Sequence, residues 1–477
     1  MERIERIELP QIFCERMERL LEEEYSAFLS SYEKERYYGL RYNPLKDTAE
    51  TFVERMPFDL DKVSWAAEGF YYQGSQQPGR HVLHEAGAYY IQEPSAMAVV
   101  ELLAPRPEER ILDLCAAPGG KSTQIAGRMD RRGLLVANEI VPERAKILSQ
   151  NVERMGIPNC VVCSERPERL SSFFPAFFDR ILVDAPCSGE GMFRKEEAAR
   201  KEWSADHVQM CADRQLGVLE EAAKMLKPGG ILVYSTCTFA PEENEGVVSA
   251  FVHEHDDFTI EEVPCDSFFS KGRPEWISDA VFGIAHTMRL WPHELKGEGH
   301  YIARLRRKGA PVQQTVQGSA KGRNKDRKNN KERTDDRKMR EAAEEFLLTK
   351  LGISSAWMAR QSGMLIRFGE WLYLAPEEMI SMEGLKVLRP GLCLLADRKN
   401  RFEPAHALAL SLDREDTDRV RELTKEEAEK YLHGESIPCL EERGWTLLTY
   451  EGYSLGFGKA SGGQMKNHYP KGLRKSR

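Results

Sequence analysis

Two cysteines sit where a thiol could act as a nucleophile. One lies in Asp184-Ala-Pro-Cys187-Ser-Gly-Glu-Gly191, the other in Tyr234-Ser-Thr-Cys237-Thr-Phe239. Each follows a short apolar run, so each falls at the end of an expected strand, in a turn of small or polar residues. A thiolate adds to electron-poor carbon, and such covalent catalysis divides one hard step into easier ones. A single cysteine is usually an inert buried thiol. Two at strand ends, one of them beside Asp184, point to chemistry instead. The residues alone leave open which thiol attacks.

A third turn, Cys115-Ala116-Ala117-Pro118-Gly119-Gly120-Lys121, follows a strand and opens a helix. Small residues there let backbone N–H groups approach a bound ligand. Glu139 ends the next strand, where an acid can accept hydrogen bonds from both hydroxyls of a ribose. The turn does not match the dinucleotide pattern Gly-x-Gly-x-x-Gly, and Cys115 stands where a phosphate loop would need its first glycine. Order and spacing favour a nucleoside-type cofactor over a merely tight turn.

The elements that must position these residues alternate regularly. Strands are expected at 111–115, 133–139, 160–164, 180–184 and 231–235. Helices are expected at 121–129, from Pro142 to Met155, and over about 205–226 before Lys227-Pro-Gly-Gly230. Repeated strand–helix units imply an α/β fold with a parallel sheet covered on both faces. Ligands of such sheets bind beyond the carboxyl ends of the strands, where all three turns fall.

Four regions follow from composition. Residues 1–100 form an accessory segment, with an amphipathic helix expected over 11–36 from Ile12, Met17, Leu20, Leu21 and Tyr25. Residues 101–307 form the catalytic domain. Residues 308–340 read as a basic flexible linker, since 321–340 hold ten Lys or Arg against four acids. Residues 341–477 recover globular composition and end in a stretch, 459–477, with six Lys or Arg and no acid. The net charge of −8 argues weakly against a general nucleic-acid coat protein, yet local charge governs RNA binding. Cys160-Val-Val-Cys163 lacks further ligands at zinc spacing, so no metal is expected. A charged start and no apolar run of membrane-spanning length suggest a cytoplasmic chain without a membrane partner.

The motifs Asp113-Leu-Cys-Ala-Ala-Pro-Gly-Gly-Lys-Ser122, Asp184 to Arg194 and Ser235 to Phe239 together resemble the signature set of the Sun/NSUN family of RNA (cytosine-5) methyltransferases. The resemblance implies a seven-stranded Rossmann-like fold and S-adenosyl-L-methionine as donor. It assigns attack to Cys237 and release of the methylated RNA to Cys187. It also places Asp184 near both cofactor and base, and puts residues 115–121, Glu139 and, more weakly, Glu165 on the cofactor. The chemistry needs a thiol: carbon 5 of cytosine is a poor nucleophile until a thiolate adds to carbon 6. A donor at ring nitrogen 3 helps, a role open to Asp184 if it is protonated when substrate binds.

Residues 86–97 resemble the segment leading into the family's catalytic domain, and 400–408, 456–459 and 466–474 resemble the C-terminal part of the bacterial RsmF type, which modifies small-subunit ribosomal RNA and ends in a PUA-like RNA-binding module of α+β structure. Tyr453, Phe457, His468 and Tyr469 among the last cations suit phosphate contact with base stacking. The expected partner is 16S ribosomal RNA or the assembling 30S subunit, bound by a monomer. A tRNA substrate, and a non-catalytic assembly factor, are the alternatives; the second leaves the cysteine pair unexplained.

Overall fold

Apolar runs in the middle of the chain build the sheet around which everything else is arranged. The computed structural model describes residues 7–263, 269–310, 326–361, 363–379, 381–398 and 401–475, with backbone alone over 326–336. Its central strands are β1 (Arg110–Asp113), β2 (Leu134–Asn138), β3 (Cys160–Cys163), β4 (Phe178–Asp184), β5 (Leu226–Thr236), β6 (Met288–Leu290) and β7 (His300–Arg307). They lie in the order β6-β7-β5-β4-β1-β2-β3. Strands β1 to β5 pair in parallel, and β7 runs antiparallel to β5 and β6.

Both faces of this sheet are buried, as parallel strands require. Leu112, Val136, Ile181, Val183 and Tyr234 pack on one side with Leu219 and Phe251. Ile111, Leu135, Leu182 and Val233 pack on the other with Ile125, Leu148 and Val152. These residues come from α1 (Gly120–Met129), α2 (Pro142–Arg154), α4 (Ala205–Met225) and α5 (Val247–Glu254), with α3 (Pro167–Phe173) following β3. Each fully buried side chain of this kind contributes roughly 1.5–3 kcal/mol. Pro142 opens α2 and Gly156, at φ 69°, follows its end. The chain order reverses between β1 and β4, so their carboxyl ends flank a crevice.

The sheet exceeds the seven strands expected. Phe258–Ile260 joins β7, Ser270–Lys271 joins β6, and Val387–Pro390 pairs antiparallel with β3, giving ten strands. The last addition comes from the C-terminal region, which is therefore built into the catalytic sheet.

The helix expected over 11–36 is two helices, Gln11–Leu21 and Tyr25–Ser31, joined by a tight turn at Glu22–Glu24 where Glu22 takes φ 48°. Three successive glutamates repel at that point, and the buried stripe is Phe13, Met17, Leu21 and Phe28, while Ile12 is exposed. A four-stranded sheet completes the first region, with strands Asp61–Lys62, Gly69–Tyr72, Tyr38–Tyr42 and Tyr89–Ile91 in that order.

The expected linker over 308–340 is also corrected. Residues 311–325 lie outside the described residues, but Asp326–Lys350 is a helix. Its second half has an apolar stripe, with Ala343 and Leu347 buried beside Leu351 and Trp357, and an Arg337–Glu341 pair on its surface. Composition signalled disorder because the stripe begins only at Met339. Two small sheets follow. One holds Met364–Phe368, Trp371–Ala375, Leu392–Asp397 and Phe402–Pro404; the other, the PUA-like half-barrel, is built on Gly444–Tyr450, Tyr453–Ser461 and Gln464–Asn467. Asn400, which opens the 400–408 segment, lies outside the described residues. Among the described residues no helix is long and apolar enough to cross a membrane.

Candidate active site

Strands β4 and β5 are neighbours in register, with Asp184 opposite Ser235, so the turns that follow them meet. The Cys187 and Cys237 sulfurs lie 3.3 Å apart, as free thiols. Several bonds lock the two turns together. The Ser188 and Thr238 hydroxyls are 2.9 Å apart, and the Gly191 N–H donates to the Cys237 carbonyl at 2.8 Å. Glu190 accepts from the Phe239 N–H at 3.0 Å and the Trp203 indole at 2.8 Å, and pairs with Arg16 of the first helix. Glu243 accepts from the Ser188 N–H at 3.0 Å, the Ser188 hydroxyl, and Gln215 at 2.8 Å. Sequence reasoning missed Glu190 and Glu243; both are fully buried, and their only signal was an acid where an apolar residue would suit the core.

The two sulfurs are not equivalent. The hydrogen bond with Cys237, burial, and the nearby Cys237 and Glu243 groups hold the Cys187 thiol well above the usual cysteine range. Cys187 therefore keeps its proton at neutral pH.

Asp184 accepts from Lys121 and from the Ser235 hydroxyl, both at 2.7 Å. Burial opposes its charge, but Lys121, His300 and these hydrogen bonds outweigh it and lower its pKa. The free protein thus presents a carboxylate, and the protonated Asp184 expected from sequence concerns the substrate-bound state. Burial likewise works against the Lys121 ammonium, yet Asp184 and the Cys237 sulfur raise its pKa.

A pocket of about 870 Å³ opens beyond these strand ends, lined by Cys115, Glu139, Asp184, Cys187 and Cys237 among others. Such a volume is within the range of cofactor sites. Burial, Asp113 and Asp184 push the Cys115 thiol up, so it stays neutral. Glu139 accepts the Val141 N–H at 2.9 Å and faces Arg144 at 3.5 Å. Beside it Ile140 and Val141 are 52% and 43% exposed in the pocket wall. Two uncovered apolar side chains next to an acid at the end of β2 fit an adenosine: the acid for ribose hydroxyls, the apolar pair for the flat base. Asp184 and Glu139 also suit a cationic sulfonium. The residues present therefore fit S-adenosylmethionine.

The glycine turn is held from behind. Gly119 takes φ 116°, which favours glycine, and a Cβ on Gly120 would crowd Gln92 and Tyr90 of the N-terminal region. The buried Arg41 donates to the Gly120 carbonyl at 2.6 Å and to Gln92 at 2.5 Å. Ala116, Ala117 and Pro118 complete the turn, and the Ala116 N–H bonds the Asn138 carbonyl at 2.8 Å. Glu165 points elsewhere: its carboxylate accepts the N–H of Lys386, the residue before the strand added to β3, at 2.7 Å. The pocket wall there is Arg166 and Pro167 instead.

Comparison with known proteins extends these observations to the whole chain. Residues 100–306 match the family described as 16S rRNA methyltransferase RsmB/F. Residues 9–94 match the N-terminal domain of 16S rRNA methyltransferase RsmF, 346–412 its first C-terminal domain, and 419–475 its PUA domain. The ribosomal RNA small subunit methyltransferase F of Shewanella piezotolerans is 32% identical over 92% of this chain and 91% of its own. That of Vibrio campbellii is 31% identical over 98% and 97%. A methyltransferase homolog from Pyrococcus horikoshii superposes with a TM-score of 0.56 at 29% identity, covering 63% of this chain and 96% of the other.

Proposed function

The chain belongs to the RsmB/F family of 16S ribosomal RNA methyltransferases, which act on carbon 5 of cytosine with S-adenosylmethionine, and on that premise we propose that Cys237 is the covalent nucleophile and Cys187 its release partner. The observation that supports this reading is the 3.3 Å contact of the two sulfurs at the mouth of a pocket that Glu139 and Asp184 also line.

The Cys237 thiolate adds to carbon 6 of the target cytosine, forming a C–S bond and making carbon 5 nucleophilic. S-adenosylmethionine, when bound, would supply the electrophilic methyl that carbon 5 takes up, its sulfonium S–CH3 bond breaking to leave a neutral thioether. Carbon 5 then loses its proton to solvent, the C6–S bond breaks, and the electron pair returns to sulfur. Cys187, kept as a thiol, donates a hydrogen bond to the departing Cys237 thiolate and makes it a better leaving group. Asp184 and Lys121 set an acceptor beside a donor. That order complements the amino group and ring nitrogen 3 of cytosine, whereas uracil presents the opposite order. The Lys121 ammonium also balances charge that the ring gathers when sulfur adds. Residues 115–121 and Glu139 hold the cofactor, and Glu165 is the weaker contact because Lys386 already engages it. The N-terminal region then serves as a platform for the catalytic domain and the C-terminal part as an RNA-binding region, the whole working as a cytoplasmic monomer.

The test is incubation with 16S ribosomal RNA transcript and methyl-labelled cofactor. Cys237→Ala should give no methylated RNA, and Cys187→Ala should accumulate a denaturation-resistant protein–RNA adduct. Turnover by Cys237→Ala overturns the nucleophile assignment; clean loss of activity in Cys187→Ala without adduct overturns the release role.

A further inference from the structure

The two ends of the chain share one hydrophobic core. Leu40, Phe52, Val82 and Tyr89 of the N-terminal region pack in a single cluster with Leu432, Leu448, Tyr453 and Tyr469 of the last domain. Lys475 fastens the junction by donating to the Arg80 carbonyl at 3.0 Å and pairing with Glu85 at 3.4 Å. Burial opposes the charge on Glu85, but His84, Lys475 and Arg154 bring its pKa down to about 2, so the fastening persists across the working pH range.

Along this junction runs a groove of about 420 Å³, lined by Arg80 and His81 from one end of the chain and Lys425, Glu429, His433 and Lys475 from the other. Arg80 and Lys425 are exposed and make no ion pair among the described residues. His81 accepts the Leu83 N–H through Nδ1, so its Nε2 carries the proton and is a donor. Burial, then Lys425 and Lys475, lower the His81 pKa, and Glu429 across the groove offsets part of that effect. The apolar residues beneath, Val82 and Leu432, are buried, so the groove offers no exposed apolar anchor of the kind that holds a protein partner.

We infer that this groove between the N-terminal region and the PUA-like module is a composite binding site for the phosphodiester backbone of RNA, seated on Arg80, His81 and Lys425. The inference rests on the RNA-methyltransferase reading for the identity of the polyanion. Neither end of the chain has the site alone, because each contributes one of the two unpaired cations. A site of this kind positions RNA without reading its sequence.

The experiment uses the full chain and 16S ribosomal RNA transcript free of protein, with affinity measured over a salt series. Arg80→Gln combined with Lys425→Gln should weaken binding several-fold at physiological salt. It should also reduce the slope of log affinity against log salt by about 1.4–1.8, since each phosphate contact contributes roughly 0.7–0.9. Cofactor affinity should not change. A control pair, Lys34→Gln with Lys350→Gln, removes the same charge outside the groove and should leave the slope nearly intact. An unchanged slope in the groove variant overturns the site, as does an equal fall in the control. RNA binding unaffected by the groove variant, together with lost binding of a ribosomal protein, would assign the groove to a protein partner. A wild-type chain that methylates neither the transcript nor assembled 30S subunits sinks the underlying reading instead, and is told apart because it needs no variant.

Discussion

Glu243 is the carboxyl on which both cysteine turns depend. It holds the Ser188 N–H and hydroxyl, and Ser188 in turn meets Thr238, the neighbour of Cys237. Burial, partly offset by Ser188, raises its pKa to about 7, and burial raises that of Asp113 to about 7 as well. Asp113 has one oxygen on the Ser122 hydroxyl at 2.6 Å and the other buried without a partner, as suits a protonated acid. For a carboxyl raised in the folded state, the native form binds the extra proton between the unfolded and folded pKa values. Stability from these two groups is therefore greatest below about pH 4 and is lost as pH rises toward about 7, by at most about 3 kcal/mol for Glu243 and about 4 kcal/mol for Asp113. Glu243→Gln keeps an acceptor for Ser188 and Gln215 and removes the charge. In urea unfolding it should be more stable than wild type at pH 8 and nearly equal at pH 5. Parallel pH profiles would show that Glu243 does not titrate in this range. The same residue scale shows where sequence stopped. Cys187, Cys237, Asp184 and Glu139 were legible because turns after strands announce them. The proton-bearing state of Cys187 and the ionised state of Asp184 were not, because they depend on groups from distant segments: Lys121, Ser235, Glu243 and His300.

At the scale of elements, long buried segments were legible and short or imported ones were not. Strands β1 to β5 and helices α1, α2 and α4 carry apolar patterns that either face of a covered sheet demands, and they stand within a few residues of the expected positions. Val387–Pro390 has no such pattern; its place is set by pairing with β3 and by Arg389, whose side chain is 4% exposed and bonded to Glu153 of α2. Removing one partner of a buried pair leaves the other charge uncompensated, which costs about 3–5 kcal/mol. Glu153 is 25% exposed, so the lower end applies. Arg389→Ala should lower stability by about 3 kcal/mol, and Arg389→Ala with Glu153→Ala should recover part of that loss in a double-mutant cycle. Additive losses would mean that the strand is held by its backbone bonds alone. Because the Lys386 N–H, just before this strand, reaches Glu165, Arg389→Ala should also alter cofactor affinity if Glu165 contacts the cofactor, measured by calorimetry on the folded variant.

At the scale of the whole molecule, sequence divides the chain into regions in series, and the structure closes them on one another. Trimming the basic C-terminus reads from sequence as a clean way to weaken RNA binding. The fold makes that deletion structural. Residues 450–475 include two strands of the last sheet and the buried Tyr453, Leu455, Ala460, Met465 and Tyr469. Tyr453 donates to Asp47, and the Tyr469 hydroxyl approaches Glu85, both on the N-terminal side of the shared core. Cutting the chain after residue 418 would leave Leu40, Phe52 and Tyr89 with half of their cluster exposed. The loss then spreads inward, because the N-terminal region carries Arg41 and Gln92, which brace Gly120 at the cofactor turn. A chain ending at 418 should therefore show a lowered melting temperature, binding of a hydrophobic dye, and weakened cofactor affinity together with weakened RNA affinity. Arg80→Gln with Lys425→Gln should weaken RNA affinity alone. If the truncated chain kept wild-type cofactor affinity and melting temperature, the ends would be independent modules. The brace from the shared core to the glycine turn would then have no mechanical role.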